Sequence, residues 1–187
     1  MRHKRDLLHF FAVISLVFLF LACQPTYQNR DVFKQNPQLN EKPDRVGDTV
    51  VITSLRGNSI NWYLTSPHIE EFSKKKIVLA DTVLVYYFKN DEIVSTLTAN
   101  KAKIDEIKKL MTATGDVVVI SDNGILKTEL LYWNLTNNQI FTQEFVTIIR
   151  GENVINGRNL LTNIELQSAE LDDVGATGEI YEEDIDI

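Results

Sequence analysis

A short pattern recurs along this chain at a nearly fixed spacing and limits the folds that the chain can adopt. The pattern is apolar–x–small–x–x–apolar, and its copies begin 33, 29 and 29 residues apart. The four copies are Leu64-x-Ser66-x-x-Ile69, Leu97-x-Ala99-x-x-Ala102, Leu126-x-Thr128-x-x-Leu131 and Ile155-x-Gly157-x-x-Leu160. A repeat of this length is typical of stacked units, each of which buries a face only against its neighbour. Stacked β units end in open edges and enclose a long interior.

The residues around these copies favour short antiparallel strands joined by turns. Residues 81–88 and 116–121 are rich in apolar β-branched side chains, the first stretch also in aromatic ones. Asp122-Asn123-Gly124 predicts a tight hairpin, because Asn-Gly tolerates the positive φ values that such turns require. Pro67 is expected to end the strand that begins at Ser59, since proline cannot donate a hydrogen bond to a ladder.

Residues 104–111 allow two interpretations. Their sequence is compatible with a short helix, but the 29-residue register aligns them with residues 133–140, which are typical of a strand end and a turn. The same register pairs Met111 with Ile140, Ala113 with Thr142, Val117 with Val146 and Val119 with Ile148. We therefore expect turn and strand here. Short strands at a spacing of about 8–12 residues predict an all-β sandwich or jellyroll.

The N-terminal residues are typical of a targeting signal rather than of part of the folded domain. Basic residues 2–5 precede 16 residues, Leu7 to Ala22, in which only His9 and Ser15 interrupt the apolar run. That run is short for a membrane span and suits a signal peptide. It ends in Phe20-Leu21-Ala22-Cys23, which resembles a bacterial lipobox, although Phe20 stands where leucine is usual.

We therefore predict a lipoprotein-type signal peptide over residues 1–22 and lipid attachment at Cys23. The alternative is an uncleaved anchor helix in which Cys23 is incidental. Residues 23–47 contain three of the four prolines and predict a flexible linker. The β domain is expected over residues 48–181, followed by an acidic tail at residues 182–187.

Composition excludes several classes of function. The net charge is −7, and it becomes −9 without Arg2, Lys4, Arg5 and Asp6 of the leader, which argues against a nucleic-acid partner. A single cysteine allows no intrachain disulfide. His68 is the one histidine beyond the leader, so a multi-histidine metal site cannot form, and no nucleophile motif accompanies it. We expect no cofactor and no enzymatic activity.

An ordered series of residues covers roughly positions 50–180. It comprises Trp62-x-Leu64-x-Ser66, Leu97-Thr98-Ala99, the segment Gly115 to Val119, Gly124-x-Leu126-x-Thr128-Glu129-x-Leu131-x-Trp133 and Ile155-x-Gly157-x-x-Leu160. The series resembles the LptC family, the membrane-tethered periplasmic component of the lipopolysaccharide export machine. The resemblance implies a twisted β-jellyroll, an open β-sandwich of stacked antiparallel strands of the OstA-like type. Cys23 groups this chain with lipoprotein-type members.

The resemblance also implies a function, partners and a location. The chain would carry lipopolysaccharide from an inner-membrane ABC transporter to a periplasmic bridge protein of the same fold, at the periplasmic face of the inner membrane. Its first and last strands would pair with these partners by β-augmentation. The implied partner-edge residues are Val50, Ile52, Gly157, Leu171 and Ile180. A separate ATPase would supply the energy, because the sequence holds no phosphate-binding loop.

Alternation along the strands sends one set of side chains inward, where they are candidates to line a trough for acyl chains. They are Trp62, Leu64, Val83, Val85, Leu97, Val117, Val119, Leu126, Leu130, Tyr132, Val146, Ile148 and Ile155. Apolar burial gains about 0.8 kcal/mol per methylene without any directional contact, which suits lipid chains. Two alternatives stay open: a lipid carrier or chaperone that forms no bridge, and a structural interaction lipoprotein whose core is packed and dry.

Overall fold

The computed structural model describes residues 42–177, and these residues form ten β-strands and no helix. The all-β prediction is confirmed. The predicted signal peptide, Cys23, most of the predicted linker and the acidic tail lie outside the described residues. The strands are β1 (Arg45–Arg56), β2 (Ser59–Phe72), β3 (Ile77–Lys89), β4 (Glu92–Asp105), β5 (Leu110–Ser121), β6 (Gly124–Asn134), β7 (Gln139–Thr142), β8 (Val146–Arg150), β9 (Asn153–Asn163) and β10 (Ala169–Thr177).

All ten strands belong to one antiparallel sheet that follows the order of the chain. Each strand from β1 to β6 pairs with the next, and β10 pairs with β9. The short strands β7 and β8 both lie between β6 and β9, so together they take the place of one long strand. This meander of hairpins explains why the sequence repeats at the length of one strand pair.

Two strands extend beyond the predicted bounds. β1 begins at Arg45, inside the predicted linker. The expectation that Pro67 ends its strand is wrong, because β2 continues through Pro67 to Phe72. Ladder pairs between β2 and β3 stop at Thr65 and resume at His68, so Pro67 faces no partner that needs its missing N–H.

Both predicted turns are present. Residues 106–109 form a turn rather than a helix, and the Asp105 carboxylate accepts the amide of Lys108 at 2.9 Å. The hairpin at Asp122 and Asn123 joins Ser121 to Gly124, which are Cα partners. The positive φ of this hairpin falls on Gly124, at 141°, rather than on Asn123.

A line of irregular backbone crosses the sheet through the middle of its strands, and we call it the crease. Positive φ occurs at mid-strand residues that are not glycine, which is uncommon and strains a β-branched residue most. These residues are Thr49, Thr82, Asp116, Asn159 and Asp173. The ladders also shift register here, between Thr98 and Lys101 on β4 for example. The crease divides the sheet into two parts, which we call layer 1 and layer 2. Layer 1 ends in the turns at 57–58, 90–91, 122–123 and 151–152. Layer 2 ends in the turns at 73–76, 106–109, 135–138 and in the connector 164–168.

The two layers face each other across the core. The rings of Trp62 in layer 1 and Trp133 in layer 2 are 6.2 Å apart, centroid to centroid. Their strands, β2 and β6, are four places apart, which is about 19 Å along a flat sheet. Tyr87 of β3 also meets Trp133 edge-on at 5.9 Å. The sheet is therefore folded along the crease, so that layer 1 covers layer 2.

The repeated motif records this folding. Its first two positions lie in layer 1, and its last position lies in layer 2, after the crease. In β6, Leu126, Thr128, Leu131 and Trp133 are all buried, so the inward set advances by three residues instead of two at the crease. The three-residue step from the small residue to the second apolar residue is the sequence signature of that irregularity.

Candidate functional site

An unbroken row of apolar side chains crosses layer 1 from β1 to β9, and we call it the apolar row. Each member is the Cα partner of the next. The row is Ile52, Leu64, Val85, Leu97, Val119, Leu126, Ile148 and Ile155. All four motif copies contribute their first position to this row, from β2, β4, β6 and β9. The repeat therefore builds one continuous track across the sheet.

Most of the predicted lining residues do point into the core. Ten of the thirteen are buried, namely Trp62, Leu64, Val83, Val85, Leu97, Val117, Val119, Leu126, Val146 and Ile148. Ile155 is half-buried and packs against them. Whether any of them contacts lipid stays a prediction.

The inward placement of Leu130 and Tyr132 is wrong. Both alternate with the buried Leu131 and Trp133, and Tyr132 stacks at 5.2 Å on the exposed ring of Phe141 on the outer face. The prediction assumes strict alternation through the crease, but the inward-facing positions advance there by three residues instead of two. The motif itself held the missing signal, since its last apolar position, Leu131, is the inward one.

The interior is closed to solvent. Leu64, Val119 and Leu126 are completely shielded, and the layer 2 residues Met111 and Ile140, which the lining prediction did not include, are equally buried. The interior is therefore packed by the protein's own side chains.

The first and last strands each have one neighbour within the part of the chain that the structure describes. Val50 and Ile52 lie on β1, where Val51 and Leu55 are 60% and 64% exposed. Leu171 lies on β10, where Val174 is 58% exposed. Free edges with exposed apolar side chains are templates for strand addition. Ile180 lies outside the described residues.

Gly157 is not an edge residue, which corrects the prediction. It lies in β9, between β8 and β10, and is the Cα partner of Val146. A Cβ at this position would lie 3.0 Å from the carbonyl oxygen of Asp172 on β10. Glycine therefore serves here as a close-packing position at the crease.

Small polar side chains hold the crease together. The Ser66 hydroxyl donates to the carbonyl oxygen of Asp81 at 2.6 Å, and the Thr128 hydroxyl donates to that of Phe145 at 3.0 Å. Asp81 lies beside the gap in the β2–β3 ladder, and Phe145 lies between β7 and β8. On the outer face, amide–carboxylate pairs bridge neighbouring strands at Asn100–Asp116, 2.8 Å, and Asn159–Asp172, 3.0 Å.

His68 makes the corresponding contact between β2 and β1. Its Nδ1 lies 2.9 Å from Asp48 Oδ1, and this hydrogen bond is the main cause that raises the His68 pKa above 6.5. Because the folded pKa is the higher one, the pair stabilises the fold fully below about pH 6.5 and loses its effect as the pH rises through the folded value.

We expect Asp48→Asn to lower the pKa of His68 towards 6.5. Titration of the His68 ring protons by NMR measures the value, and His68→Gln assigns the resonance among the three histidines of the chain. An unchanged His68 pKa in Asp48→Asn would show that Asp48 is not the cause.

No three His, Cys, Asp or Glu side chains between residues 42 and 177 are arranged to hold a metal ion. Nor does this part of the chain contain a helix that qualifies as a membrane span. The site therefore consists of a row of mostly buried apolar side chains that lies between two strand edges.

Comparison with known proteins identifies the family. The family model for lipopolysaccharide-assembly, LptC-related proteins matches residues 10–177, which is most of the chain. The chain belongs to the LptC-related family. The resemblance drawn from the motif series is thereby confirmed, and the match includes all four motif copies.

A solved structure shows the same fold as this LptC-related chain. It is LptH of Pseudomonas aeruginosa, described as the LptA-homologous periplasmic component of the lipopolysaccharide transport device. The match has a TM-score of 0.52 at 13% sequence identity and covers 64% of this chain and 95% of LptH. The β-jellyroll prediction is confirmed. None of the curated proteins matches the sequence.

Proposed function

We propose that this chain is a membrane-tethered bridge component that carries lipopolysaccharide across the periplasm. It receives the lipid from an inner-membrane ABC transporter complex and passes it to a periplasmic partner of the same jellyroll fold. Family membership and the LptH-like fold support a general role in lipopolysaccharide transport. Transfer from the transporter to this chain, and from this chain to the partner, is the part that we propose here.

The apolar row is the observation that carries this proposal. It runs without interruption from Ile52 on β1, the first strand of the described sheet, to Ile155 on β9, beside its last strand β10. Burial along such a row depends on area rather than direction, so acyl chains can slide along it without leaving a specific contact. A neighbouring jellyroll paired at either edge would extend the row.

The distribution of charge fits a role in which the core binds only the acyl chains of the lipid. The row contains no ionisable side chain, and polar residues such as Asp48 and Asp116 lie on the outer side of the crease. The sugar and phosphate portion of the lipid would then stay outside the core, because burying its charges unpaired is costly. Lipid attachment at Cys23 would hold the jellyroll at the periplasmic face of the inner membrane, with an uncleaved anchor helix as the alternative.

The test places a photocrosslinking amino acid at Leu126, inside the row, and separately at Val51 and Val174, on the two edges. We expect capture of lipopolysaccharide at Leu126, of a transporter component at Val51 and of a second jellyroll protein at Val174. Ile107, which is 73% exposed in a layer 2 turn, is the control position and should capture none of them. Lipid capture at Leu126 without strand partners at the edges would favour a carrier or chaperone.

The closed interior favours a second candidate, a structural interaction lipoprotein with a dry core. Six of the eight residues of the apolar row are at most 2% exposed, so the row is packed like an ordinary core. This candidate predicts protein capture at the edges and no lipid at Leu126 under any condition.

A further inference from the structure

The connector between β9 and β10, residues 164–168, lies across the opening between the two layers. We call it the strap. It leaves layer 2, where the Ile164 amide donates to the Asn138 carbonyl oxygen at 2.9 Å. The side chains of Ile164 and Leu166 then turn inward and are each 1% exposed. The strap thus covers the core at the place where the folded sheet has no strand.

Five residues on the rim of layer 1 hold the strap. Three of its carbonyl oxygens accept side-chain hydrogen bonds, and its carboxylate forms an ion pair. The contacts are Ser95 to the Ile164 carbonyl (2.7 Å), Ser121 and Asn123 to the Glu165 carbonyl (2.8 and 2.9 Å), Arg150 to the Leu166 carbonyl (2.8 Å), and Lys89 with the Glu165 carboxylate (3.0 Å). These residues come from β3, β4, β5, β8 and the β5–β6 turn, so the strap joins the two layers along most of the rim.

None of these contacts belongs to a strand ladder. All of them join a side chain of layer 1 to the strap, so their loss would break no strand pair in the sheet. The adjacent contact from Asn138 Nδ2 to the Tyr87 hydroxyl, 2.8 Å, crosses between the layers in the same way.

The backbone of the strap is strained in this position. Leu166 has a φ of 56°, a conformation that a bulky side chain rarely adopts and that persists only where the surroundings impose it. Local hydrogen bonds from the Leu166 and Gln167 amides to Asn163 form this turn, and the buried Leu166 side chain and the bond from Arg150 fix it against the core. The attachment of the strap to layer 1 itself consists of a few separable contacts.

We infer that the strap is a releasable closure of the apolar row, and that its detachment from layer 1 admits the acyl chains. The inference rests on the proposed lipid-transport function and explains how a closed interior is compatible with it. The closing contacts involve Ser95, Ser121 and Asn123, and the opening exposes Ile164 and Leu166. Because the strap continues directly into β10, strand addition at that edge acts on the same segment.

The test is a triple variant, Ser95→Ala/Ser121→Ala/Asn123→Ala, in the full-length, membrane-tethered chain. Each lost hydrogen bond raises the population of the open strap about fivefold, which makes about 100-fold for three. The Leu166 and Gln167 amides bond to Asn163 and are also shielded by burial of the strap, so their hydrogen exchange should accelerate by up to that factor. Lipopolysaccharide micelles are the probe, and the rate of photocrosslinking at Leu126 should rise well above that of the parent chain.

Two further variants make the outcome decisive. Asn100→Ala/Asp172→Ala removes two side-chain contacts at the crease instead of at the strap and should leave the capture rate unchanged. Lys89→Gln removes only the exposed ion pair and should raise strap exchange about twofold, so it serves if the triple variant does not fold. Faster strap exchange with an unaltered capture rate would overturn the inference, and so would unaltered exchange. If no form of the chain captures lipid even with the strap released, the proposed function fails as well.

Discussion

Replacing Trp133 with alanine is expected to lower the free energy of unfolding by about 4 kcal/mol, because the change leaves a large cavity at the contact between the layers. The Trp133 side chain is 1% exposed and touches Trp62 and Tyr87, both of which come from layer 1. No neighbouring strand can move in to fill the space without separating ladder partners. Urea unfolding of the full-length chain at fixed temperature measures the difference.

Trp133→Phe is the matched control for this prediction. The Trp133 Nε1–H is buried without a hydrogen-bond partner, so phenylalanine removes an unsatisfied donor as well as part of the ring. We therefore expect Trp133→Phe to lower the free energy of unfolding by about 1–2 kcal/mol, much less than alanine does. Equal losses for the two variants would contradict a core filled by the aromatic ring.

Sequence reasoning succeeded where the determinants are local. Strand identity, the turn at 106–109 and the hairpin at Asp122 follow from residue types and from the 29-residue register. The apolar row also follows, because side chains alternate regularly within layer 1 and the repeat keeps Leu97, Leu126 and Ile155 in one register. Each of these inferences concerns residues on one side of the crease.

The crease is where that reasoning failed. Thr49 and Thr82 adopt positive φ although threonine rarely does, because the fold line requires a turn of the backbone there. Alternation carried past this point assigned Leu130 and Tyr132 to the wrong face. Pro67 looked like a strand end, although the crease supplies the one place in a central strand where its missing N–H costs little.

The closure of the interior could not be predicted from the sequence at all. The Ser95 hydroxyl bonds to the carbonyl oxygen of Ile164, 69 residues later, and no pattern in either segment announces the contact. Whether a row of apolar residues forms a trough or a dry core therefore depends on a connector of five residues. The same apolar row is compatible with lipid transport and with a dry structural core, and the position of the strap determines which of the two the row serves.

Replacing Gly124 with alanine is expected to lower the free energy of unfolding by about 3 kcal/mol, through backbone strain and a steric clash together. The Gly124 φ is 141°, and a Cβ there would lie 2.5 Å from the Ile149 carbonyl oxygen of β8 and 3.0 Å from Arg150 Cγ. To accommodate it, β8 has to move away from β6. That movement displaces Arg150, which holds the strap through the Leu166 carbonyl.

Gly151→Ala separates the two causes of this loss. Gly151 also has a positive φ, 57°, but a Cβ there would meet nothing within 4 Å. It should cost only about 1 kcal/mol, from backbone strain alone. Urea unfolding compares the two variants, and hydrogen exchange at the Leu166 amide should accelerate in Gly124→Ala but not in Gly151→Ala. Equal losses of stability would mean that the close approach of β8 to Gly124 does not constrain this hairpin.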